Sequence, residues 1–165
     1  FEIAKMRGYE KEMQEYLDEQ PVDSLLYSIA MNFAEPKKKP YPFKLIEELV
    51  EEGPCIIMGR CAGYLMRNRE EAFSVFVHAD LEKRIRRVAR KNELTDATAK
   101  DRIQKTDKRR ASYYNYYTSK KWGDAASYNL SLDSGVLGID GCVQMIKKAI
   151  EIKEERLAKN NREVK

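Results

Sequence analysis

The chain has 165 residues, 35% charged and 42% apolar, with 31 basic and 27 acidic side chains and a net charge of +4. That length suits one domain with a hydrophobic core, and the apolar share with ten Tyr argues for a folded chain despite a mean hydropathy of −0.68. No apolar run approaches the roughly 18 residues of a membrane span and no signal-peptide pattern opens the chain, so a cytoplasmic protein without a membrane segment is expected.

In chain order, apolar residues at 3, 6, 9, 13, 16 and 17 predict an amphipathic helix over residues 1–17. Asp23 or Ser24 is placed to cap a second helix through Phe33, which the Pro- and Lys-rich stretch 35–42 ends. A third helix covers 43–52, stopped by Gly53-Pro54. Cys55-Ile56-Ile57-Met58 then reads as a short strand of a parallel sheet, with Gly59-Arg60-Cys61-Ala62-Gly63 at its carboxyl end. A second strand is expected over 73–77, followed by a helix to about Lys91 with Asp80 placed to cap it. Thr95 opens a long helix through Tyr117, and Trp122-Gly123-Asp124 breaks it. A third strand over 128–132, a turn at Ser134-Gly135-Val136-Leu137-Gly138 and a last helix over about 140–158 complete the pattern. Alternation of strand and helix predicts an α/β fold with a mostly parallel sheet covered by helices. Three strands are few for a doubly wound sheet, which commonly has five or six.

Three cysteines, none in a C-x-x-C, argue against a disulfide framework and for a reducing compartment. His78 is the only histidine, so a His-rich metal site is excluded, and no G-x-S-x-G supports a hydrolase. His78 reads as structural. The mild net charge does not demand a nucleic-acid partner, although basic residues cluster at 37–39, at Arg84, Arg86, Arg87, Arg90 and Lys91, and at Lys105, Lys108, Arg109 and Arg110. In open α/β sheets ligands sit at the carboxyl ends of strands, and Gly59-Arg60 is at such an end. A glycine there permits close backbone approach, and the guanidinium fork suits a phosphate; a Gly turn with a surface Arg is the plain alternative. Asp107 and Arg110, one helical turn apart, share a face with Ile103 and Tyr114 and could hold a polar ligand or simply each other. The aromatic run Tyr113-Tyr114-Asn115-Tyr116-Tyr117 is read mainly as packing, with base stacking as the alternative.

Together, Gly53-Pro54-Cys55, Met58-Gly59-Arg60-Cys61-Ala62, Ala79-Asp80-Leu81-Glu82-Lys83-Arg84, the stretch from Lys105 to Thr118, and Lys121-Trp122-Gly123-Asp124 resemble the bacterial cytidylate kinase-like family. The resemblance runs from about Gly53 to Ile150. It implies a P-loop fold like that of the nucleoside monophosphate kinases, using ATP and Mg2+ to phosphorylate a small nucleotide acceptor. It further implies that Arg60, Arg84 and Arg87 are catalytic and that Gly59, Arg60, Asp107 and Arg110 bind the acceptor. The kinase-like domain is expected over 1–158, with a lid-like helical region at about 80–121 and a polar tail over 159–165. True cytidylate kinases carry D-G-R-D where this chain has Met58-Gly59-Arg60-Cys61, so a direct argument for cytosine recognition is lost. None of the eight glycines begins G-x-x-x-x-G-K-[ST]. The phosphate loop and its strand are therefore expected upstream of Phe1. Two rivals stand beside this reading: a nucleotide-binding protein without transferase activity, and a basic nucleic-acid-binding module.

Overall fold

The computed structural model describes residues 41–163, so the two helices expected before Phe33 lie outside the described residues. The chain divides into two compact units, Phe1–Asn68 with Thr106–Trp122, and Arg69–Lys105 with Gly123–Lys165.

In the first unit, helix α1 is Tyr41–Glu52. It begins two residues earlier than the spacing predicted, because a proline in the first turn lacks only an N–H that has no intrahelical partner anyway. Phe43, Leu45 and Ile46 bury its inner face. Residues 54–58 are not a strand, contrary to expectation. A strand exists only where a neighbour accepts its backbone hydrogen bonds, and none does so among the described residues; Ile56 and Met58 are 96% and 89% exposed. A short helix, α2, is Ala62–Leu65.

In the second unit, strand β1 is Val75–His78, and helix α3 follows as Leu81–Asn92. Asp80 is the residue before the first turn of α3, but its carboxylate makes no capping hydrogen bond, which corrects the expected side-chain cap. Helix α4, Asp96–Thr118, starts where the sequence places it, since Thr95 Oγ1 accepts from the Thr98 N–H at 3.2 Å. Its last part belongs to the first unit. Leu81, Ile85, Val88 and Ala89 of α3 close a core against Ala99 and Ile103 of α4.

Strand β2, Leu130–Asp133, pairs in parallel with β1, Val75 opposite Leu130 and His78 opposite Asp133. Both ends of the pair are fastened by side chains. At the amino end Asn129 Oδ1 accepts from the Ser74 backbone N–H at 2.8 Å and lies 2.9 Å from its hydroxyl. At the carboxyl end Ser134 donates to the His78 carbonyl at 3.0 Å, Asp133 Oδ1 accepts from the Gly135 N–H at 2.7 Å, and Lys83 donates to the Gly135 carbonyl at 2.8 Å. Helix α5, Ser134–Glu163, packs on both strands. It breaks at Gly138 (φ 70°, ψ 179°), a conformation open to glycine alone at little cost, so a single turn precedes the long segment. That segment continues past Ala158, where the sequence pattern ends it. The described architecture is α/β, a small parallel sheet with helices, two strands rather than the three expected.

Candidate phosphate-facing site

The sequence Gly59-Arg60-Cys61-Ala62 forms a tight turn closed by the Ala62 N–H on the Gly59 carbonyl at 3.0 Å. Its backbone is left-handed at three successive residues: Gly59 at φ 73°, Arg60 at φ 52° and Cys61 at φ 55°. Glycine accepts that conformation freely, but an L side chain in it costs about 1–2 kcal/mol, so Arg60 and Cys61 are both strained. Such a turn persists only where its surroundings over-determine it. Cys61 supplies part of that constraint, buried to 6% in a cluster with Phe43 and Tyr114. The Cys61 carbonyl adds to it by accepting from the N–H groups of Tyr64 and Leu65 at 3.0 and 2.9 Å, which also starts α2.

The aromatic run completes the cluster. Tyr114 is buried, while Tyr113, Tyr117 and Trp122 pack around it, so packing is the role of these rings here. Tyr113 lies 4.7 Å from Tyr117, and Tyr117 meets Phe43 edge-on at 5.1 Å, ring centroid to ring centroid. Each such contact adds about 0.5–1.5 kcal/mol beyond its buried area. The end of α4 is closed by Thr118, whose buried hydroxyl donates to the Tyr114 carbonyl at 2.6 Å. The guanidinium carbon of Arg60 stands 5.8 Å from the centre of the Tyr113 ring, within cation–π range.

Arg60 is half-buried and its fork lies against the helix that carries Asp107 and Arg110. Asp107 is half-buried and Arg110 exposed; Arg110 and Tyr113 are one turn apart, on adjacent turns of the same side of α4. Gly59, Arg60, Asp107 and Arg110 thus all belong to the first unit. Arg84 and Arg87 belong to the second, on α3, half-buried and exposed respectively, next to the apolar face that packs on α4. Sequence reasoning missed the strained geometry of Arg60 and the ring that faces it. The glycine before Arg60 was the only local signal of either.

Cys55, Cys61 and Cys142 are free thiols. No group of three or more His, Cys, Asp or Glu side chains among the described residues could hold a metal ion, and no helix among them is long and apolar enough to cross a membrane.

The sequence profile of the cytidylate kinase-like family matches residues 2–136. The cytidylate kinase of Archaeoglobus fulgidus is 26% identical over 159 residues, covering 93% of this chain and 77% of that protein. A crystal structure of an uncharacterized protein from Eubacterium ventriosum superposes with a TM-score of 0.64 at 30% identity, covering 66% of this chain. The chain spans 62% of that solved structure, under two thirds of its length.

Proposed function

The chain belongs to the cytidylate kinase-like family, and on that premise we propose that it carries the acceptor side of a nucleoside monophosphate kinase with a P-loop fold. The observation that supports this most is the strained Gly59–Ala62 turn, which holds an arginine fork against a helix bearing a second arginine and an acid. Strain of this kind accumulates where a backbone must present a side chain to a ligand. In this reading Arg60 grips the acceptor phosphate with two parallel N–H···O bonds, and Arg110 adds a second positive charge to the same group. Asp107 accepts from a hydroxyl of the sugar or from the base. Arg84 and Arg87, on the proposed lid-like region, would supply positive charge for the phosphoryl group that the family's reaction transfers.

Mg2+ and the triphosphate of ATP, which the family implies, do not fit the residues described. The chain has no Gly-rich phosphate cradle and the described residues offer no carboxylate cluster for the ion. The role of Gly59, Arg60, Asp107 and Arg110 is therefore confined to the acceptor, whose phosphate they bind and orient. The segment 54–58, apolar yet unpaired among the described residues, is consistent with a sheet that needs one more strand.

Steady-state phosphoryl transfer from Mg-ATP to AMP, CMP, GMP and UMP, measured with the full-length protein, tests the proposal. Transfer to at least one is expected. Arg60→Lys keeps a positive charge but loses the bidentate fork, and should lower kcat by roughly two orders of magnitude with the melting temperature nearly unchanged. Wild-type transfer by the lysine variant refutes the acceptor-site assignment. Binding of a monophosphate without transfer identifies instead a nucleotide-binding protein that has lost its activity.

A further inference from the structure

The backbone of Arg60 is held in the turn, but its side chain has four further torsions that the turn's own backbone hydrogen bonds do not set. A phosphate-gripping fork that samples many rotamers loses affinity when it is immobilised by the ligand. The Tyr113 ring supplies what the turn cannot: its centre is 5.8 Å from the Arg60 guanidinium carbon. Tyr113 is itself seated, because its ring contacts Tyr117 at 4.7 Å and Tyr117 contacts Phe43 at 5.1 Å. The path from the buried face of α1 to the guanidinium is thus a continuous row of aromatic rings.

We infer that Tyr113 is a positioning residue, whose ring face pre-orients the Arg60 guanidinium for the phosphate of a nucleoside monophosphate. The inference rests on the acceptor-site reading of Arg60. Tyr113 does not touch the ligand; it acts through the guanidinium. A planar cation over the negative face of a ring is held there without spending an N–H donor on that contact, so the ring contact itself is compatible with a bound phosphate. The hydroxyl has no part in this role, and the ring alone should suffice.

Two measurements on the full-length protein test this. The first uses no nucleotide: the side-chain protons of Arg60, assigned by NMR, should be shifted upfield by the ring current of Tyr113. Tyr113→Phe should retain the shift and Tyr113→Leu should abolish it. The second is calorimetric titration with AMP, CMP, GMP and UMP. Tyr113→Leu should weaken the monophosphates that bind by roughly two- to tenfold, the scale of one immobilised side chain, and Tyr113→Phe should restore the affinity. Placed on Arg60→Met, which removes the cation, Tyr113→Leu should have no further effect. Equal losses on both backgrounds, or an Arg60 spectrum without ring-current shifts, overturn the positioning role while leaving Arg60 in place. If instead Arg60→Met binds all four monophosphates as the wild type does, or none binds to the wild type, the acceptor-site reading fails, and this inference with it.

Discussion

Replacing Arg60 by glycine separates the function of the strained turn from its stability. The left-handed backbone at φ 52° costs an L residue about 1–2 kcal/mol, which glycine does not suffer. Against that gain stand the greater freedom of glycine in the unfolded chain, about 0.5–1 kcal/mol, and the lost contact with Tyr113, another 0.5–1 kcal/mol or so. The terms nearly cancel, leaving Arg60→Gly within about 1 kcal/mol of the wild type, or roughly 2–4 °C in melting temperature for a domain of this size. Binding is expected to respond quite differently. A charged hydrogen-bond partner of a phosphate contributes about 1.5–3 kcal/mol, so affinity for nucleoside monophosphates should fall roughly 10- to 150-fold. Thermal melting and calorimetric titration with the four common monophosphates read the two effects independently. A protein that melts far below the wild type makes Arg60 a structural residue. A stable variant with undiminished affinity shows that Arg60 does not meet the phosphate, and the reasoning from strain to function is then wrong.

Ile103→Ala removes a side chain 5% exposed between α3 and α4 and should destabilise by about 2–5 kcal/mol, read from the urea midpoint at unchanged slope. Thr95→Ala removes the acceptor for the Thr98 N–H and should cost about 1 kcal/mol in the same assay; no loss there means the cap is made by solvent. A Cβ at Gly135 would stand 2.7 Å from Lys83 Cδ and 2.9 Å from Asp133 Oδ1, so Gly135→Ala should cost about 1–3 kcal/mol through overpacking, and a neutral result shows that Lys83 swings away freely. Cytidine monophosphate should not be preferred by as much as about a hundredfold over the other three monophosphates, because the buried Cys61 thiol is a poor partner for an exocyclic amine; titration of all four checks this.

The second unit was largely legible in the sequence because its signals are local. The strands expected over 73–77 and 128–132 stand at Val75–His78 and Leu130–Asp133, and the helices expected after Asp80 and from Thr95 are α3 and α4. Thr95 announced its helix through a hydroxyl that reaches only three residues ahead. Asp80 carried an equally good local signal and makes no side-chain cap, since the direction of a carboxylate depends on more than its place in the chain.

The family, too, was legible in the sequence, through the resemblance carried by Met58-Gly59-Arg60-Cys61-Ala62, the stretch from Lys105 to Thr118 and Lys121-Trp122-Gly123-Asp124. Tertiary structure alone decided the state of residues 54–58, whose apolar pattern suits a strand but whose hydrogen bonds need a neighbour that no local signal supplies. It alone decided the left-handed conformation of Arg60 and Cys61. No propensity favours that backbone for either residue; it is held where Cys61 packs against Phe43 and Tyr114, which lie far from it along the chain. A periodicity or a cap is fixed by residues a few positions away and can be read in order, whereas a strained turn is stable only through contacts that folding brings together.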